Sequence, residues 1–186
     1  RITGEEFAAV PVSKLLVIRQ HNQMGDMLAS VPAFRGLRKR FPLARITLVA
    51  APIHADVARR NPYVDEVLVY AKERTRKNPF ALVRFVAGLR RRRFDAVLVL
   101  NTVSFSVTST LLAVASGARI RIGSTSLPFG HDVTSKLYHL ELPLPGPGQR
   151  EAMHESAHNL YPLSVIGVSE QDLSSALVPT EDEERS

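Results

Sequence analysis

Five uninterrupted apolar runs punctuate the chain: Leu15–Ile18, Ile46–Ala50, Val67–Tyr70, Ala96–Leu100 and Ile120–Ile122. A run without polar alternation is the pattern of a strand buried on both faces. Segments of helical period separate the runs, and that alternation predicts an α/β domain with a doubly wound, mostly parallel, Rossmann-like sheet. Asn78 followed by Pro79 predicts a capped helix start, after which Leu82, Phe85, Val86 and Leu89 share one face. An earlier helix turns Phe34, Leu37 and Phe41 inward and ends at Pro42. Its start has two solutions: Ser30 as cap with Pro32 in the first turn, or an origin at Asp26 with a kink at Pro32.

The remaining segments are less regular. Ser104–Ser116 reads as a weaker crossover helix, because Val107, Thr108 and Thr110 are β-branched. Residues 124–148 are rich in Pro and Gly and predict a loop or a short-strand excursion. Glu151–Gly167 returns to helix, interrupted near Pro162. The expected organisation is an unpatterned segment over residues 1–13, one Rossmann-like domain over 14–168, and a linker or tail over 169–186. That tail ends in an acidic run.

Composition narrows the class only slightly. A chain of 186 residues, 45% hydrophobic and 23% charged, has the make-up of an ordinary globular domain. It has no cysteine, which excludes disulfides and thiol chemistry. No apolar run reaches the roughly 18–20 residues that span a bilayer, and no signal peptide is evident, so the default expectation is a soluble cytoplasmic protein. Net charge is +6 and the pI about 10.1. This balance favours polyanionic partners: nucleic acid, an anionic membrane face or a phosphorylated glycolipid. The clusters Arg38–Arg40, Arg59-Arg60, Lys72–Lys77 and Arg90–Arg93 fall mostly at expected helix C-termini, where cations also complement the helix dipole. The Arg90–Arg93 run is in addition a candidate contact for anionic lipid headgroups.

Candidate chemistry gathers after the strands, where open α/β sheets bind ligands. The first strand–loop–helix lacks a Gly-rich phosphate fingerprint and offers a single carboxylate, Asp26. That residue is either a proton acceptor or a helix N-cap. Gly25 before it implies an unusual backbone angle or a close ligand approach, or else a simple turn. Arg19 ends the first strand, facing a ligand anion or a neighbouring acid. His21 and Asn22 in the first loop, His54 after the second strand, and Asn101, Thr102 and Ser104 after the fourth are candidate substrate contacts, with loop capping as their alternative role. His154 and His158 stand one helical turn apart, but without a third ligand they read as surface or capping histidines.

The ordered set of Leu15-Leu-Val-Ile-Arg19, Met24-Gly25-Asp26, Pro32-Ala-Phe-Arg-Gly-Leu37, Phe41-Pro-Leu-Ala-Arg-Ile46, Asn61-Pro-Tyr-Val-Asp-Glu-Val67, Phe94-Asp-Ala-Val-Leu-Val-Leu100, Gly117-Ala-Arg-Ile-Arg-Ile-Gly123 and His154-Glu155 before Asn159-Leu160 resembles the N-terminal half of the family 9 glycosyltransferases, the lipopolysaccharide heptosyltransferases and their relatives. The resemblance covers about residues 14–168. It implies the acceptor-side half of a GT-B type enzyme, with Asp26 as general base of an inverting transfer. A nucleotide-sugar donor, with ADP-heptose the foremost candidate, would be held mainly by a second, C-terminal domain that this sequence does not include. The isolated half is then expected to be inactive alone. The acceptor would be an anionic glycolipid met at the inner membrane face, with peripheral membrane contact. No Asp-x-Asp pair occurs, so neither a metal nor another cofactor is expected.

The competing reading is a basic α/β module that binds nucleic acid without catalysis. It calls for aromatics interleaved with the cations for base stacking. Phe80, Phe85 and Phe94 lie near the Arg cluster, but two of them fall on the expected core face, so nucleic acid is not the expected partner.

Overall fold

The computed structural model describes residues 1–20, 24–101, 105–130 and 132–175. Strands β1 (Lys14–Arg19), β2 (Arg45–Ala50), β3 (Glu66–Val69), β4 (Ala96–Val99), β5 (Ile120–Ser124) and β6 (Leu140–Leu142) form one sheet in the order β3-β2-β1-β4-β5-β6. Every neighbouring pair is parallel; Leu15 stands opposite Ile46 on one side and Ala96 on the other. The five apolar runs are thus the first five strands, to within two residues at their ends. The sixth comes from the Pro/Gly-rich stretch, where the short-strand alternative is the one realised.

The helices are α1 (Gly4–Ala8), α2 (Met24–Leu28), α3 (Val31–Arg40), α4 (Ala55–Arg59), α5 (Lys72–Lys77), α6 (Pro79–Arg92), α7 (Val107–Ala115), α8 (Thr134–Leu137), α9 (Pro147–Ala152) and α10 (Glu155–Leu160). Successive strand residues point to opposite faces, so each strand feeds two cores. Leu15, Val17, Ile46, Leu48, Ala96 and Leu98 pack with Phe7, Phe34, Leu37 and Leu163 on one face. Leu16, Ile18, Val49, Val97 and Val99 pack with Leu89, Phe94, Leu112 and Tyr138 on the other. No helix among the described residues is long and apolar enough to cross a membrane.

Local chemistry explains the helix boundaries. Asn78 Oδ1 accepts from the Ala81 amide at 3.2 Å, and Pro79 opens α6, as the sequence predicts. The two proposed starts of the next-to-first helix are partly both realised. One short helix holds Asp26 and a second begins at Val31; Ser30 occupies its cap position without a side-chain cap bond, and Pro32 lies in its first turn. The stripe on α6 is less buried than its period suggests. Leu89 is buried, but Leu82 is 37% exposed, because the first turns of α6 overhang β3, a half-buried edge strand of four residues. The expected helix over Glu151–Gly167 breaks before α10 and becomes a 3₁₀ segment, Tyr161–Ile166, with Pro162 in its first turn.

Residues 1–13 are not unpatterned. Thr3 and Glu6 form a reciprocal capping box on α1, with Thr3 N to Glu6 Oε2 at 2.7 Å and Glu6 N to Thr3 Oγ1 at 3.1 Å. The helix thereby delivers Phe7 edge-on to Phe41, ring centroids 6.1 Å apart. Gly123 is required by a close approach: a Cβ there would lie 2.5 Å from the Tyr138 ring. Burial pushes the Tyr138 hydroxyl up to about 12, against the opposing effect of its 2.9 Å hydrogen bond with Thr110 Oγ1.

Candidate functional site

The strand order reverses direction between β1 and β4, and the crevice outside their C-terminal ends is where such a sheet accepts a ligand. Arg19 closes β1 at that point and is 1% exposed. Its Nη1 donates to the Leu100 carbonyl at 3.1 Å and to Asn159 Oδ1 at 3.0 Å. Asn159, itself fully buried on α10, donates onward from Nδ2 to the Ala29 carbonyl at 3.1 Å. One buried cation and one amide thus join the ends of β1 and β4, α10 and the link between α2 and α3. Arg19 is placed to organise the floor of the crevice from within.

Helix α2 rises from this floor. Its backbone places Gly25 second and Asp26 third, so Asp26 lies inside the first turn and not at the N-cap position. Gly25 has helical backbone, not the unusual angle expected from sequence, and none of the described residues fills the space beside its α-carbon. The Gly25 carbonyl accepts from the Ala29 amide at 2.9 Å, and Ser175 Oγ donates to the Leu28 carbonyl at 2.8 Å, tying α2 to the chain beyond α10.

His54 ends a 3₁₀ turn, Pro52–His54, directly after β2, as expected, and is 1% exposed. Asn101 follows β4 and is buried, and its Oδ1 has no hydrogen-bond partner among the described residues. His21, Asn22, Thr102 and Ser104 lie outside the described residues. The crevice also contains two polar groups that the sequence reading did not select. Gln20 Nε2 and Ser124 Oγ, at the ends of β1 and β5, are buried and have no partner among the described residues. The rule that pointed to Asn101, a polar residue just past an apolar run, would have found both. Nothing local pointed to the pairing of Asn159 with Arg19, which lies 140 positions earlier in the chain.

Buried polar atoms left without partners cost about 1–3 kcal/mol each. Three of them, a donor at Gln20, an acceptor at Asn101 and a hydroxyl at Ser124, stand along adjacent strand ends. That combination suits a ligand rich in hydroxyls, which offers donors and acceptors alike.

The histidine pair resolves to structure. His154 Nδ1 accepts from the Ser156 amide at 3.2 Å and caps α10, while His158 Nδ1 lies 3.3 Å from Glu155 Oε2. Behind the site, Glu170 braces α3, with Oε2 3.1 Å from Arg35 Nε and 2.8 Å from Lys39 Nζ. Burial opposes ionisation of Glu170, but the Lys39 and Asp172-amide hydrogen bonds and the charges of Lys39 and Arg35 outweigh it, holding its carboxyl below the ordinary range.

The three aromatics weighed for nucleic-acid stacking are unsuited to it. Phe94 is buried, and Phe85 packs on Tyr70 with centroids 5.0 Å apart, leaving only Phe80 of the three exposed.

No protein-family model matches the chain. A "Putative glycosyltransferase" of Haemophilus influenzae is 25% identical over 130 residues, covering 67% of this chain and 35% of that protein. Among solved structures, a family 9 glycosyl transferase of Veillonella parvula superposes with a TM-score of 0.73 at 21% identity, over 92% of this chain and 46% of the other. The E. coli heptosyltransferase WaaC, solved with ADP, gives 0.66 at 19% identity over 86% of this chain and 48% of its own. E. coli ADP-heptose lipopolysaccharide heptosyltransferase II gives 0.63 at 21% identity over 92% and 48%. These likenesses show the fold: a Rossmann-like α/β domain of the kind found in family 9 glycosyltransferases. The chain spans about a third of the curated relative and about half of each solved structure.

Proposed function

We propose that this chain is the acceptor-side domain of an inverting, metal-independent glycosyltransferase, which moves a sugar, a heptose by resemblance, from a nucleotide-sugar to a lipopolysaccharide-type glycolipid. The observation that carries the proposal is the row of buried polar atoms on Gln20, Asn101 and Ser124 at the switch-point edge, unpartnered among the described residues. A hydroxyl-rich acceptor satisfies them, and a site without a phosphate-binding glycine loop fits an acceptor better than a nucleotide. The neighbours solved with ADP or an ADP-sugar are about twice the length of this chain, which supports a second domain as the donor's main seat.

In this reading Asp26 takes the proton from the acceptor hydroxyl as that oxygen attacks the anomeric carbon from the face opposite the leaving diphosphate. Arg19 and Asn159 hold the floor on which α2 stands. Peripheral contact with the cytoplasmic face of a membrane would bring a lipid-anchored acceptor to this edge.

The test is Asp26→Asn in the full-length protein, assayed for sugar transfer with melting temperature as a folding control. The expected loss of turnover is about 10²–10⁴-fold with unchanged melting. Turnover within a few-fold of wild type would reject Asp26 as the base.

A further inference from the structure

Helix α6 runs antiparallel to the strands, from the crevice edge of the sheet to the opposite edge. Its two ends differ in chemistry. At the far end, where sequence suggested a lipid contact, Arg90 Nε donates to the Ala115 carbonyl at 2.9 Å, and Arg92 pairs with Glu66 at 2.5 Å and donates to the Gly88 carbonyl at 2.8 Å. Two of the four arginines there serve the fold. At the crevice end Phe80 is 84% exposed and Val83 65%, with Leu82 beside them. Isolated apolar surface residues need no explanation, but three within two turns at a helix tip form a patch.

Cations surround that patch. Lys72, Arg74, Arg76 and Lys77 of α5 and Arg84 of α6 are all exposed. Residues 72–93 hold nine Lys or Arg and one acid, Glu73, so this stretch alone is more positive than the chain's net +6. The acid is already taken by Arg76 at 3.0 Å. A groove of about 750 Å³ opens beside the tip, lined by Tyr70, Arg74, Phe80, Arg84 and Phe85 among others, with room for a phosphorylated headgroup.

We propose that α5 and the first turns of α6 are a docking face for an anionic lipid bilayer. Phe80, Leu82 and Val83 enter the boundary between headgroups and acyl chains, and Lys72, Arg74, Lys77 and Arg84 meet lipid phosphates. Apolar residues ringed by cations are the arrangement that binds a membrane interface. A second copy of the same face would bring like charges together, and a nucleic acid would use stacking aromatics where this tip offers Leu and Val. The inference rests on the reading of this domain as acting on a glycolipid, because it sets the crevice edge against the surface that carries such an acceptor.

The experiment is co-sedimentation of the protein with vesicles of phosphatidylcholine, alone or mixed with phosphatidylglycerol. Binding is expected only to the mixed vesicles and should weaken as salt rises. Phe80→Ser with Val83→Ser should lower partitioning about tenfold or more, with an unchanged melting temperature because both side chains are exposed. Arg74→Glu with Arg84→Glu should remove the preference for anionic vesicles. The proposal is overturned if wild type ignores phosphatidylglycerol or if the Ser variant binds vesicles unchanged. It is equally overturned if the Ser change dissociates a dimer while vesicle binding stays intact, or if a DNA duplex displaces the vesicles. Transfer to a water-soluble, deacylated acceptor is measured in parallel. Its loss with vesicle binding intact overturns the transferase reading alone, and intact transfer without vesicle binding overturns the docking face alone.

Discussion

Asn159→Ala is the most informative test of the crevice floor. The side chain is fully buried; it accepts from Arg19 at 3.0 Å and donates to the carbonyls of Ala29 at 3.1 Å and Glu155 at 3.4 Å. Its removal strips one partner from a buried guanidinium, a loss of about 1.5–3 kcal/mol, and leaves the Ala29 carbonyl short of a donor at about 1 kcal/mol. The expected destabilisation is therefore about 3 kcal/mol, which for a domain of this size lowers the melting temperature by roughly 6–12 °C. Chemical denaturation and thermal melting both read it. Arg19→Met combined with Asn159→Leu should cost less than the sum of the two single changes, because no buried charge is then left short of a partner. A loss below about 1 kcal/mol for Asn159→Ala, or strict additivity of the pair, would refute the claim that these two residues hold the site floor as one unit.

Gly123→Ala must displace the Tyr138 ring and disturb its bond to Thr110, for an expected cost of about 1–3 kcal/mol by denaturation; Tyr138→Phe, which removes only the hydroxyl, should cost about 1 kcal/mol. Glu170 has a depressed pKa, so its contribution is fully present above the ordinary value of 4.5 and is lost as pH falls through its lower folded-state value. Glu170→Gln should therefore flatten the acid limb of the stability–pH curve, and an unchanged slope there would contradict the ion-pair assignment.

Strands and helix starts were legible because they depend on near neighbours. The five apolar runs, the Asn78-Pro79 cap and the cations ending α3 and α6 all express local periods or local hydrogen bonds. The capping box of α1 was equally present in Thr3 and Glu6, and went unread because the short helix behind it shows no apolar period. β6 has three residues among prolines and glycines, and its strand identity comes from pairing with β5.

The sequence by itself determined that this chain is a doubly wound α/β domain, and it directed the search for a site to the loops after its strands. Apolar runs and helical periods are enough for that, since each reports only what its own few residues must bury. Tertiary structure decided which polar groups end up enclosed at the strand ends with no partner among the described residues, and that Asn159 closes on Arg19 from far along the chain. It also decided which end of the basic α6 region faces outward beside the site. A helix of fourteen residues carries its ends to opposite edges of the sheet, about 20 Å apart. Cations that are close in sequence therefore serve the fold at one edge and stand exposed around an apolar tip at the other.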